Sequence, residues 1–280
     1  MRTVLSTDIT NAVRDMCIEA AHFLSDDMKS ALVNAKENEE SELGKKILGQ
    51  LKENLDIASS EMIPICQDTG MAVFFVEVGQ DVHVEGGSLS DAINEGVRKG
   101  YEEGYLRKSV VGDPLLRENT KDNTPAVIHY DIVPGDSIKL TIAPKGFGSE
   151  NMSRIFMLKP AEGIEGVKNA VVRAVSDAGP NACPPMVVGV GIGGTFEKCA
   201  EIAKKALTRP VNEHSKLEHI AKLETEILEM INNTGIGPAG LGGRITALAV
   251  NIETYPTHIA GLPVAVNICC HVNRHSTRVI

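Results

Sequence analysis

The sequence predicts an α+β fold: a helical N-terminal region over about residues 1–60, followed by mixed strands and helices around a site built from turns. Three observations carry this. Apolar residues recur at helical spacing through the N-terminal part. Short β-branched runs bounded by Gly and Pro fill the middle of the chain. Further helical and strand patterns then follow without the strict alternation of a doubly wound sheet. One domain is expected over residues 1–280, with no internal repeat, low-complexity tract or linker, the polar run 117–125 being too short for one.

Each element has its own reason. From residue 8 to about 59 the pattern is helical, with Ile9, Ala12, Val13, Met16 and Ala20 at i, i+3, i+4 spacing behind Thr7 or Asp8 as cap. A second helix carries Leu43, Ile47, Leu48 and Leu51. The apolar run 72–78, ended by Gly79, predicts a strand buried on both faces. Ser88 caps a helix over 89–105, with Gly100 and Gly104 marking its end. Residues 126–132 and 137–143 are strands, and the Pro134-Gly135-Asp136 turn between them predicts a hairpin. Residues 163–178 set Val167, Ala170, Val171, Ala174 and Val175 on one helical stripe. A short strand over 187–190, helices over 195–207 and 214–231, and strands over 245–252 and 264–268 complete the chain.

Composition excludes several function classes. With 42% hydrophobic and 23% charged residues the chain is globular rather than disordered. A net charge of −9 argues against sequence-independent binding to nucleic acid, which needs a basic face. An anionic substrate must therefore be met by a few placed Arg or Lys side chains. No apolar run reaches the roughly 18 to 20 residues of a membrane helix, and residues 1–13 lack a signal-peptide core, so no membrane role and a cytoplasmic location are expected. In a reducing compartment six cysteines favour metal binding or catalysis over disulfides.

The turn Ile65-Cys66-Gln67-Asp68-Thr69-Gly70 sets a soft metal ligand beside an amide and a carboxylate. Cys183 lies among the turn-formers Gly179-Pro180-Asn181-Ala182-Cys183-Pro184-Pro185, where two prolines force an extended exit. Cys269 and Cys270 end a strand, and because neighbouring strand side chains face opposite ways only one of them can point at a shared metal. Cys17 and Cys199 fall in amphipathic helices and read as small buried hydrophobes. Simpler explanations stand beside these. A turn aspartate ordinarily bonds its own backbone, an arginine after a helix is ordinarily solvated, and a Pro-rich turn can bury a cysteine for packing. The two glycines of Lys145-Gly146-Phe147-Gly148-Ser149-Glu150-Asn151 permit close backbone approach, and its N–H groups can line an anion-binding concavity. Residues 189–194 fit GxGxxG, but the continuation lacks the acid-bearing parallel strand that dinucleotide binding requires. Residues 235–243 read as a loop feeding the strand at Ile245.

Four ordered motifs, the cysteine turn 66–70, the run 145–151, the run 179–185 and Leu262-Pro263-Val264 leading to Cys270, together resemble the α subunit of class I fumarate hydratases and L-tartrate dehydratases, over about residues 8 to 278. The resemblance implies a [4Fe–4S] cluster held by Cys66, Cys183 and Cys270, with one iron lacking a protein ligand and acting as a Lewis acid. Cys269 is then the outward neighbour. It also implies that Asp68 assists the proton-abstracting base, that Gln67 contacts substrate and that His258 is the general acid, a role imidazole suits because its ordinary pKa lies near neutrality. Arg107 would grip a substrate carboxylate through two hydrogen bonds, and Gly146 or Gly148 would lie against substrate.

The implied activity is reversible hydration of fumarate to L-malate by an oxygen-sensitive enzyme. Dehydration of L(+)-tartrate is the alternative, and a non-enzymatic metal-binding or redox-sensing protein is the distant one. The family's second module has no counterpart here, so the resemblance implies a separate β subunit carrying the rest of the active site, in an α2β2 assembly that the α chain needs for activity.

Overall fold

The computed structural model describes residues 1–280. The elements are, in order, β1 (Arg2–Leu5), α1 (Ser6–His22), α2 (Asp26–Asn38), α3 (Glu42–Glu61), β2 (Val73–Gly79), β3 (Val82–Glu85), α4 (Leu89–Glu103), β4 (Val127–Val133) and β5 (Ile138–Ile142). They continue with α5 (Phe147–Glu150), β6 (Arg154–Leu158), α6 (Gly163–Ala178), β7 (Met186–Gly193), α7 (Phe196–Ala206), α8 (Glu218–Asn232), β8 (Ala247–Tyr255), β9 (Leu262–Cys269) and β10 (Ser276–Val279). After the short strand β1, which the sequence reading does not foresee, three helices come first and mixed sheets with helices follow, as the sequence indicates. The chain divides into two units. One comprises Met1–Leu24, Leu55–Phe147 and Arg274–Ile280, the other Ser25–Asn54 and Gly148–Asn273.

In the first unit β10, β5, β2 and β4 form one sheet in that order, while β1 and β3 pair as a small parallel ribbon. Ile9, Val13 and Met16 of α1 and Val97 and Tyr101 of α4 share a core with Phe74, Val76, Leu140 and Ile142. The two helices pack closely, since a Cβ on Gly100 would lie 2.7 Å from the Cβ of Cys17. Gly100 therefore serves this contact inside α4 rather than ending it, and Gly104 is the residue that caps the helix. Ser88 is the N-cap as expected, its hydroxyl accepting from Asp91 N at 3.1 Å.

The other face of this sheet is polar, with Lys139 bonding Glu77 at 3.1 Å, Thr141 and Thr277 3.0 Å apart, and Phe75 stacked on His129. The expectation of a strand buried on both faces holds from Val73 to Val76 and fails at Glu77 and Val78, which are half-buried. The expected hairpin is also absent. β2 lies between β4 and β5, parallel to the first and antiparallel to the second, and the turn passes over the end of β2, where Asp81 N bonds Gly135 O and Gly79 N bonds Ser137 O. Turn chemistry fixes a local reversal of the chain. Which strand fills the gap depends on the α4 crossover, which supplies β2 with a parallel neighbour.

The second unit contains the sheet β6, β9, β7, β8 in that order. Val188, Val190, Ile252, Val266 and Ile268 share a core with Val171 and Val175 of α6 and Ile227 and Ile231 of α8. On the opposite face of β7 lies α7, so near that a Cβ on Gly189 would sit 2.1 Å from Ala203 O, and one on Gly191 2.0 Å from Cys199 O. Gly189 and Gly191 of the GxGxxG run thus serve helix–strand packing, and both lie inside the strand rather than in a phosphate loop. They also carry little strand signal, which is why β7 runs longer than residues 187–190. Glu39 is buried and accepts from Glu40 N, Ser41 N, Arg244 N and Ile245 N at 2.8 to 2.9 Å, anchoring the glycine-rich loop ahead of β8. Burial pushes its carboxyl up, and the four N–H bonds outweigh that, holding it below the usual carboxylate range. No helix is long and apolar enough to cross a membrane.

Candidate active site

Because β2 and β5 are antiparallel, the segment entering β2 lies beside the segment leaving β5. Met71 and Lys145 bridge them through N–H···O bonds of 3.0 and 2.9 Å. The turn 65–70 consequently meets residues 145–147. Asp68 Oδ1 accepts from Gly70 N at 3.0 Å, the local bond a turn aspartate ordinarily makes, and Oδ2 accepts from Phe147 N at 2.9 Å. Two fixed donors from two strand ends therefore orient the carboxylate. Gly70 has φ +83°, and a Cβ there would lie 2.8 Å from Lys145 N. A Cβ on Gly146 would lie 3.1 Å from Asp68 Oδ2, whereas the nearest atom to one on Gly148 is Asn181 O at 3.8 Å. Proximity to the carboxylate thus distinguishes two glycines that the sequence leaves equivalent.

The carbonyls of the same turn are held from behind. Arg274 Nη2 donates to Asp68 O at 2.5 Å, Tyr101 OH to Thr69 O at 3.1 Å and Gly70 O at 2.8 Å, and Asn123 Nδ2 to Gly70 O at 3.2 Å. Burial pushes the Tyr101 phenol up, so it stays a donor. Arg107 is tied to the turn through its backbone, its carbonyl accepting from Thr69 Oγ1 at 3.2 Å. Asn123 Oδ1 takes Ser109 N and Val110 N at 2.7 and 3.2 Å, fixing the segment that follows. The Arg107 side chain is exposed, as is Gln67, whose Oε1 accepts from Cys66 Sγ at 3.3 Å. Tyr101, Asn123 and Arg274 were not singled out from the sequence. Nothing local distinguishes a helical tyrosine, a loop asparagine or an arginine after a strand.

In the second unit β7 and β9 are antiparallel, with Val187 opposite Cys269, so the segment entering β7 lies beside the end of β9. Cys183 adopts the left-handed conformation (φ 53°, ψ 63°), and its carbonyl accepts from His271 N at 3.4 Å and faces His271 Nδ1 at 3.1 Å. Burial pushes the His271 imidazole down, against the bond to Cys183. Cys183 and the Cys270 segment are thereby brought together.

Exposure divides the six cysteines: Cys17, Cys199 and Cys269 are buried, Cys66 and Cys270 half-buried and Cys183 exposed, none of them in a disulfide. The three accessible thiols are those the resemblance names, and a thiolate set suits iron. The structure groups no three Cys, His, Asp or Glu side chains as a metal site.

His258 stands in the exposed loop between β8 and β9, which Thr257 Oγ1 fastens to Gly194 O at 2.9 Å. Its Nδ1 accepts from Ala260 N at 3.1 Å, which leaves Nε2 as the protonated nitrogen of the neutral ring.

Comparison with known proteins adds the following. Residues 10–279 match the family profile described as fumarate hydratase (Fumerase). A Methanocaldococcus jannaschii protein, provisionally named L(+)-tartrate dehydratase subunit alpha, is 44% identical over 276 residues, covering 96% of each chain. The L(+)-tartrate dehydratase subunit alpha of Escherichia coli (strain K12) is 32% identical over 276 residues, or 97% of this chain and 90% of that one. The protein of the same name from Shigella sonnei gives the same figures.

Proposed function

This chain belongs to the fumarate hydratase (Fumerase) family, and from that premise we propose that it is the α subunit of a [4Fe–4S]-dependent hydro-lyase adding water reversibly to fumarate to give L-malate. The observation that carries this is the Asp68 carboxylate, fixed by Gly70 N and Phe147 N in the same turn as a half-buried thiol and tied to the Arg107 segment.

Cys66, Cys183 and Cys270 would hold the cluster. When bound, it supplies a Lewis acid for the hydroxyl and carboxylate oxygens of the substrate. Arg107 pairs with a substrate carboxylate through its guanidinium fork, and the Gln67 amide hydrogen-bonds the substrate once the Cys66 thiol no longer engages it. The absence of a side chain at Gly146 leaves room beside the carboxylate. Asp68, held as an acceptor, orients and assists the base that takes or returns the proton at carbon. His258 would serve, in its imidazolium form, as the acid that protonates the departing hydroxyl in the dehydration direction, returning to the neutral imidazole as it does so.

A second reading, dehydration of L(+)-tartrate, is favoured by the names of the relatives. Both reactions remove or add water across a four-carbon dicarboxylate, so one site chemistry serves either. The subunit names support a separate β subunit; in this reading it completes the site in an α2β2 enzyme that works in the cytoplasm, where thiols stay reduced.

The test is anaerobic reconstitution with iron and sulfide, followed by assays on fumarate and L(+)-tartrate with and without the β subunit. A broad brown absorbance and turnover only in the complex are expected, with loss of activity in air. Full turnover by the α chain alone overturns the two-subunit assignment, and stoichiometric zinc without colour overturns the cluster.

A further inference from the structure

Three consecutive carbonyls of the turn, those of Asp68, Thr69 and Gly70, are all occupied by side chains that are almost fully buried. Arg274, at 4% exposure, is the charged member of this set. The register of β10 against β5, Ser276 opposite Ile142, carries Arg274 to the sheet end where Met71 and Lys145 bridge. There its Nη2 takes the Asp68 carbonyl, while Nε and Nη1 are buried without a hydrogen-bond partner. A guanidinium that gives one nitrogen to a single carbonyl and leaves the other two buried without a partner is a costly choice if stability alone is served. The peptide it holds belongs to the residue whose carboxylate is gripped by Gly70 N and Phe147 N.

We infer that Arg274 is a positioning residue for Asp68. By fixing the Asp68 carbonyl it sets the peptide plane of the turn and with it the direction of the carboxylate. It touches no reacting atom. This rests on the hydro-lyase reading for its consequence in turnover, while its structural part stands on its own.

The test compares Arg274→Met and Arg274→Lys with the parent in the reconstituted complex, and measures amide hydrogen exchange in the full chain. Arg274→Met is expected to lower kcat by about 30- to 100-fold with KM within about threefold. Its melting temperature should stay within about 4 °C of the parent. Exchange at the Gly70 and Phe147 amides should quicken by about tenfold or more while that of Leu140 and Ile142 is unchanged. Arg274→Lys, which keeps a donor, should recover part of both effects, and methylguanidinium should partly rescue Arg274→Met.

Unchanged exchange at Gly70 and Phe147 overturns the inference, as does a loss of kcat that merely follows a fall in melting temperature and in protection across the sheet. If Arg274→Met does not fold, Arg274→Lys decides on the same amides. If the parent complex turns over neither fumarate nor L(+)-tartrate, the hydro-lyase reading fails, and the exchange measurement still decides the role of Arg274.

Discussion

The sheet β10-β5-β2-β4 and the sheet β6-β9-β7-β8 follow one plan, yet they are covered and equipped differently. In each, a central strand has a parallel neighbour on one side and an antiparallel neighbour on the other, and the fourth strand lies antiparallel outside the latter. In each, a turn singled out for chemistry sits where the chain enters the central strand and leaves its antiparallel neighbour, whereas His258 lies at the opposite end of β9. Residues 65–70 and 145–147 occupy that place in the first sheet, and residues 183–185 with 269–271 occupy it in the second.

The difference lies in what surrounds it. The first sheet carries its apolar core on one face and the polar Glu77, Lys139 and Thr141 on the other, where Phe75 and Thr141 are buried as well. The second is covered on both faces, with Gly189 and Gly191 admitting α7 against β7. The first sheet end presents a carboxylate held by backbone N–H groups beside a single thiol, Cys66, and the second presents two accessible thiols, Cys183 and Cys270. A shared strand plan therefore supplies a place, and the turn residues decide its chemistry.

The most severe break should come at the two sheet ends themselves. At the second, Cys270→Ala or Cys183→Ala should abolish the iron–sulfide absorbance of the reconstituted chain, whereas Cys269→Ala, at the buried neighbour, should keep it. Equal loss in all three would erase the distinction drawn from exposure. At the first end, Asp68→Asn should lower kcat of the complex about a thousandfold while leaving colour and fold intact.

Smaller and sharper is the contrast between Gly146→Ala and Gly148→Ala. The first drives a methyl onto Asp68 Oδ2 and should cost about 10- to 100-fold in kcat, and the second should stay within about threefold of the parent, given the space around it.

The covering of the sheets is tested by stability. Gly191→Ala forces a methyl into Cys199 O and should destabilise by about 1–3 kcal/mol or more in denaturant titration. Glu77→Ala on the polar face of the first sheet should stay within about 1 kcal/mol.

The mildest effect is pH-dependent. The Glu39 carboxyl is depressed in the folded chain, so its stabilisation is complete above the ordinary carboxylate range and is lost as pH falls through the folded-state value. Glu39→Gln should therefore cost about 1–3 kcal/mol at neutral pH and progressively less in acid, followed by melting temperature against pH.

Much of this was legible in the residues. Val13, Met16 and Ala20 gave α1 its buried stripe, Val167 to Val175 gave that of α6, and Ser88 capped α4. Cys17 and Cys199 proved to be buried helical cysteines, as their context indicates. Less legible was anything that depends on a distant partner. Gly100 looked like a helix end because a glycine reports its missing side chain and not the Cys17 methylene that requires it. The Pro134-Gly135 turn looked like a hairpin because reversal is local and pairing is not. Strands β6 and β10 were missed because polar residues such as Arg154, Ser276 and Arg278 break the apolar pattern on edge strands with one wet side.

The sequence by itself determined the α+β class, most helices, the cysteine turn and the family, because periodicity, caps and motif order are written in neighbouring residues. The tertiary structure decided which glycine crowds Asp68, which of two adjacent cysteines is accessible, and that Tyr101, Asn123 and Arg274 hold the turn from behind. Those facts depend on strand pairing between segments as far apart as Asp68 and Arg274, and pairing is set by the packing of the whole sheet rather than by any local run of residues.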